Sequence, residues 1–268
     1  MIYKLILLLL SGAFLFSGCI SSTAGLSSPL EQQTPAIVQS DVKITADPAK
    51  KAYLTFDDGP NSHFTEQILD ILKNNGVKAT FVVIGGNIEK NPEVFKRILN
   101  EGHSVVNHTY SHDSGEIYAS PESFLAELDR CDKMISSHGG STAKIYRAPG
   151  GSSSLTKTFY ETLTRNGYKT LDWNVSSADS DRKGVSPEQI IENVKNGVIS
   201  IEKMEKTPII LMHDGTEVCL DLDNPGEAVQ NYIRSRKSDV AALPEIINFM
   251  QSRGYTFAGV DENTPSAW

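Results

Sequence analysis

The stretch YLTFDDGP, residues 53–60, ends an apolar run with two adjacent carboxylates, a glycine and a proline. Tyr53, Leu54 and Phe56 read as a short buried strand, and Gly59-Pro60 breaks it, which leaves Asp57 and Asp58 at the strand's end. Two acids side by side repel each other, so a metal ion, an arginine or a shared proton must compensate for them. Asp-Gly is also a common turn dipeptide, and this stretch alone does not separate the two readings.

Short apolar runs recur downstream at 52–56, 78–84, 104–107, 144–147, 169–173, 208–212 and 255–260, with amphipathic segments between them. Asn91-Pro92-Glu93, Ser120-Pro121-Glu122 and Ser186-Pro187-Glu188 each offer a capping residue followed by proline at a helix start. Gly76, Gly102, Gly167 and Gly254 follow helical stretches and suit left-handed C-caps. Strands alternating with helices predict an α/β domain built on a mainly parallel sheet, either open or closed into a barrel of about seven strands. The connection at 215–239 is longer than such a unit needs and reads as a loop beside the site.

In a parallel α/β structure, the polar clusters after the strands share one face: DDGP (57–60), NHTYSH (107–112), RAPGG (147–151), DWN (172–174) and HD (213–214). His108 and His112, four residues apart, would lie on one face of a helical turn. With Asp58 they make a two-histidine, one-carboxylate set that leaves coordination positions open, which suits a catalytic ion; zinc is the default, with cobalt or nickel compatible. Such an ion brings the pKa of its water toward neutrality, and Asp57 would take the proton while Arg147 keeps Asp57 ionised. His213 beside Asp172 would be held protonated for donation to a leaving group. Gly150 lets backbone approach a ligand, and its N–H could meet an oxyanion. Taken singly, each has a plainer reading: a packed histidine pair, a surface arginine, a glycine turn, a core Trp173.

Taken together, TFDDGP, HTYSH, RAPGG, LDWN and LMHD resemble, in order and spacing, the five motifs of the polysaccharide deacetylases, carbohydrate esterase family 4 or NodB homology domain, over about Tyr53 to Val260. The resemblance implies a distorted (β/α)7-type barrel and metal-dependent removal of acetyl groups from polysaccharides, most often from N-acetylglucosamine. By position, it implies Asp57 as base, Asp58, His108 and His112 as metal ligands, Arg147 as the group orienting the base, and Gly150 as an oxyanion donor. It implies His213 as general acid tuned by Asp172, with Leu211 and Trp173 lining the acetyl pocket. Many members carry an aromatic residue where Gly150 stands, so one usual groove wall is missing here.

The remaining sequence sets the context. Lys4 and the apolar run Leu5–Phe16, ending in Ser17-Gly18-Cys19, read as a signal peptide over 1–18, too short for a comfortable membrane span. It resembles a bacterial lipoprotein signal, with lipid expected on Cys19; plain secretion and an uncleaved anchor are the other readings. Residues 19–50, rich in Ser, Thr, Ala, Pro and Gln, read as a flexible tether, and 51–268 as one catalytic domain. The net charge of −8 offers no basic patch, so nucleic acid is not an expected partner, and nothing implies a protein partner. Cys131 and Cys219 fit no metal-ligand spacing, and their sequence does not say whether they pair. The expected enzyme is an exported, lipid-anchored deacetylase meeting peptidoglycan first, with chitooligosaccharide or acetylxylan as alternative substrates. A silent glycan-binding lipoprotein would not need Asp57 or His213, and a phosphohydrolase would want more basic residues than Arg147.

Overall fold

A computed structural model describes residues 50–181, 183–215 and 226–268. The lipoprotein-like segment and nearly all of the expected tether, together with Cys219, lie outside the described residues; Lys50, counted with the tether, is in the first strand.

Seven parallel strands form a curled sheet in the order β5-β4-β3-β2-β1-β7-β6. They are β1 (Lys50–Asp57), β2 (Thr80–Val83), β3 (Ser104–Asn107), β4 (Ile145–Tyr146), β5 (Lys169–Thr170), β6 (Val175–Ser176) and β7 (Ile209–His213). A short β8 (Tyr255–Phe257) pairs with the first half of β1, on the same side on which β2 pairs with its second half. The helices are α1 (Thr65–Asn74), α2 (Gly85–Lys90), α3 (Pro92–Asn100), α4 (Ser114–Ile117), α5 (Pro121–Ser137), α6 (Lys157–Arg165), α7 (Pro187–Lys203) and α8 (Glu227–Ser252). This is the expected (β/α)7-type α/β domain. The strand β6 escaped the sequence reading because two residues among polar neighbours give no apolar run.

Strand β1 explains both its own apolar character and the placement of the acids. Leu54 and Phe56 face the helices, in a core with Phe81, Ile68, Leu69, Leu72, Ile246 and Ile247, while Tyr53 faces the inside of the curl with Val82, Val106, Ile145, Leu171 and Ile209. Burial on both faces requires a continuous apolar strand, and the period of two carries Thr55 and Asp57 onto the inner face with Tyr53. Beyond the strand, Asp58 takes a left-handed backbone (φ 77°) that re-aims its side chain.

Ser120 and Ser186 cap α5 and α7 by accepting from Ser123 N (3.0 Å) and Gln189 N (3.3 Å). Asn91 does not cap α3; its amide donates to Pro60 O (3.1 Å) and Asn87 O (3.2 Å), tying the helix start to the loop after β1. The four glycines expected at helix ends are all left-handed, with φ from 63° to 84°.

One further expectation needs correction. Residues 227–239, read as loop, are the first half of α8; 216–225 lie outside the described residues. The helix was obscured because Ser235, Arg236, Ser238 and Asp239 are polar residues on its buried side, so no apolar stripe marks it. Cys131 is a buried free thiol on α5, and burial pushes its pKa well up.

His103, at the start of β3, accepts from Ala79 N–H at Nδ1 (3.1 Å), and burial, aided by Lys78, lowers its pKa from 6.5 to about 4. The folded state therefore resists a proton that the unfolded chain accepts. Its contribution is complete above the ordinary histidine value and is lost as pH falls from 6.5 towards about 4. Denaturant unfolding at pH 7 and pH 4.5 should show wild type losing about 1–2 kcal/mol more than His103→Gln over that interval. Equal losses would show that His103 titrates normally.

Candidate active site

The C-terminal ends of β1, β3, β4, β6 and β7 and the loops that follow them bring Asp57, Asp58, His108, His112, Arg147, Asp179 and His213 to one end of the sheet. Asp57 and His213 are register partners on adjacent strands, so two inward-facing ionisable groups stand side by side.

Asp58 Oδ1 lies 3.3 Å from His108 Nε2 and 3.5 Å from His112 Nε2. The imidazoles are 4.9 Å apart between ring centroids. They are not brought together by a helical turn, as their spacing suggested: His108 follows β3, and a loop with left-handed Thr109 (φ 69°) and His112 (φ 57°) folds the second ring over the first. That loop is held by Asn107 Oδ1, which accepts from Thr109 N (2.8 Å), and by Glu127 of α5. The Glu127 Oε2 accepts from Tyr110 N (3.1 Å), Ser111 N (2.7 Å) and Ser111 Oγ (2.8 Å). The sequence offered no signal for Glu127, because it is one acid among many on an amphipathic helix.

The donor set fits a divalent metal on its own chemistry. The nitrogen His108 Nδ1 donates to Arg147 O (2.8 Å), which fixes the tautomer and leaves the Nε2 lone pair facing Asp58. Asp58 Oδ1 is buried with no hydrogen-bond partner among the described residues, a costly state for a carboxylate oxygen unless a cation meets it. Burial opposes ionisation of Asp58, but His108 foremost, with His112 beside it, outweighs burial and lowers its pKa.

Asp57 is buried, and burial raises its pKa against the pull of Arg147 and His108. Arg147 Nη1 donates to Asp57 Oδ1 (2.6 Å) and to Thr55 Oγ1 (2.8 Å), and its Nε donates to Leu171 O (3.1 Å). Held by two groups on β1 and one in the loop after β5, the guanidinium is fully buried and aims one edge at the acid.

The expected pairing of His213 with Asp172 is not made. Asp172 follows β5, which pairs with β4 on the far side of the sheet, and its carboxylate accepts from Ser152 N (3.0 Å) and Ser152 Oγ. The carboxylate on His213 is Asp179, which follows β6, the strand that pairs with β7. Asp179 Oδ1 takes the imidazole Nδ1–H (2.8 Å) and its Oδ2 takes the His213 backbone N–H (2.8 Å). Because β6 was missed, the acid beyond it was missed too.

Leu211 lies two residues before His213 on the inner face of β7 and is nearly buried. Trp173 stacks 5.6 Å from the Arg147 Cζ, and left-handed Gly151 packs against its ring where any Cβ would overlap. Gly150 is exposed with φ 75°, a Cβ there would meet nothing within 4 Å, and its N–H donates to no group among the described residues. Gly215 is sterically required: a Cβ would overlap the Asp58 carbonyl. Gly215→Ala should displace Asp58 and weaken metal binding at least about tenfold, measured by competition with a chromophoric chelator. An unchanged affinity would show that the Asp58 backbone can yield without moving its side chain.

An inward-facing acid, a His-His-Asp set that could hold a metal ion and a carboxylate-bound histidine stand together at one end of a curled parallel sheet, a grouping suited to hydrolysis. Residues 45–171 match the family described as polysaccharide deacetylase. A peptidoglycan-N-acetylglucosamine deacetylase of Bacillus cereus is 30% identical over 211 residues, covering 78% of this chain and 85% of that one. A chitooligosaccharide deacetylase of Sinorhizobium fredii is 30% identical over 219 residues, covering 80% and 92%. Among solved structures, the catalytic domain of a peptidoglycan N-acetylglucosamine deacetylase from Eubacterium rectale is 32% identical with a TM-score of 0.67, covering 82% of this chain and 93% of that one. The chain belongs to the polysaccharide deacetylase family.

Proposed function

We propose that this protein is an exported, metal-dependent N-deacetylase of N-acetylglucosamine-containing glycans, with peptidoglycan as its first substrate, carried on the outer face of the membrane by lipid on Cys19. The observation that carries the catalytic reading is the pairing, on adjacent strands, of Arg147-bound Asp57 with Asp179-bound His213 beside the Asp58-His108-His112 set. The relatives named for peptidoglycan and chitooligosaccharide deacetylation support the substrate class.

Asp58, His108 and His112 would hold the ion, zinc by donor type, which when bound polarises the acetyl carbonyl and acidifies a water. Asp57 takes the proton of the water that attacks the acetamide carbon. The Gly150 N–H, which donates to no group among the described residues, would meet the charge that develops on the carbonyl oxygen. As the C–N bond breaks, the His213 Nε2–H passes its proton to the departing sugar nitrogen; Asp179 on Nδ1 stabilises the charged ring beforehand. The products are acetate and a free amine. Leu211 and Trp173 would wall the acetyl group. A cleft lined by Gly151, Ser152, Ser153, Asp172, Trp173 and Trp268 offers two indoles to sugar faces beyond it.

Acetate release from peptidoglycan, chitooligosaccharides and acetylxylan, with and without a chelator, tests this reading. Release from peptidoglycan that the chelator abolishes and zinc restores is the expected result, and chelator-resistant release would remove the metal from the mechanism. Incorporation of a fatty-acid analogue that Cys19→Ala abolishes is expected for the anchor, and equal labelling of both proteins would refute it.

A further inference from the structure

The family motifs do not include Arg236, yet it is one of the two fully buried arginines among the described residues, and both serve the same end of the sheet. Arg147 serves Asp57; Arg236 reaches down from α8 to the other acid. Its Nη2 donates to the Asp179 backbone carbonyl (2.9 Å) and lies 3.2 Å from Asp179 Oδ2, while Nη1 reaches Gly215 O at 3.4 Å. On its third side Nε stands 3.3 Å from Asp239 Oδ2, one turn further along the helix. One guanidinium thus joins the chain after β6 to the chain after β7, on either side of His213.

We propose that Arg236 is a positioning residue for proton donation: it holds Asp179 in the orientation that grips the imidazole and backbone of His213. Asp179 uses Oδ1 for the ring and Oδ2 for the main chain, both at 2.8 Å, so any rotation of the carboxylate breaks both contacts. Five buried acids, Asp57, Asp58, Asp179, Asp214 and Asp239, surround the site, and a carboxylate left there without its guanidinium would sooner take a proton or turn away than stay ionised. Asp239 is the partner that balances Arg236 from the helix side. This inference rests on the deacetylase reading for its kinetic test but not for its spectroscopic one.

In Arg236→Met, kcat for acetate release should fall about 10- to 100-fold, with KM and bound metal unchanged, as is usual for loss of a group that orients a working side chain. In an Asp179→Asn background the same substitution should cost less than about twofold, since the group it orients is already gone. Arg236→Met/Asp239→Leu, which removes both members of the helix-side ion pair, should reproduce the kinetic loss with wild-type thermal stability; it decides the matter if the single variant fails to fold. Equal fold losses in both backgrounds, or wild-type kcat in the folded double variant, would overturn the proposal. Independently of activity, the His213 Nδ1 proton should give an exchange-protected NMR resonance in wild type that vanishes in Arg236→Met while the amide spectrum is retained. Persistence of that resonance would also overturn it. A wild-type protein that releases no acetate from any glycan would refute the proposed function, and the resonance would still decide this one.

Discussion

Asp57→Asn should lower kcat for acetate release by about 10²–10⁴-fold, the range expected for loss of a general base, while leaving bound metal at wild-type stoichiometry. Asparagine keeps the shape of Asp57 and still offers Arg147 Nη1 an acceptor at the 2.6 Å contact, so the change removes proton acceptance and little else. Asp58→Asn is the contrasting variant: it should lose the ion, because Asp58 Oδ1 is the oxygen facing both histidines. Steady-state kinetics with metal analysis on both proteins separates the roles. A loss below about tenfold in Asp57→Asn with metal bound would assign the base elsewhere.

Arg147→Met should be the most destabilising single change at the site, costing about 3–5 kcal/mol, because it strands a buried carboxylate. For a domain of this size that corresponds to a fall in Tm of roughly 6–20 °C. The guanidinium also satisfies Thr55 Oγ1 and the Leu171 carbonyl, which would lose their buried donor. Arg147→Met/Asp57→Leu removes both charges and should recover most of the stability while remaining inactive, since an apolar replacement of a buried pair is close to neutral. Thermal and denaturant unfolding of the three proteins checks this. A single variant as stable as wild type would mean that Asp57 is protonated in the folded protein and needs no cation.

Asp57, Asp58, His108, Arg147 and His213 were legible as one polar cluster because each sits in or directly after a strand whose apolar run announces it. Asp57 closes β1 and Asp58 follows it, His108 follows β3, Arg147 follows β4 and His213 closes β7. The conformation between His108 and His112 was not legible: it depends on Glu127, fifteen or more residues away on another element, so the local spacing suggested a helical turn that the chain does not make. The reading of 227–239 as loop failed for a related reason, since the polar face of α8 is turned inward to the acids.

Local order therefore follows from local pattern: the period of two in β1, the proline-preceded helix starts and the glycine stops specify a parallel α/β domain with its polar clusters at one end. Which carboxylate meets which cation does not follow. Asp172 and Asp179 both trail a strand in the same stretch, and only the pairing of the two-residue β6 with β7, rather than with β5, puts Asp179 beside His213 and leaves Asp172 with Ser152. Arg236 reaches Asp179 across 57 residues of chain. Such contacts are made by buried ion pairs and hydrogen bonds, which have no periodicity along a chain and acquire partners only when the elements pack.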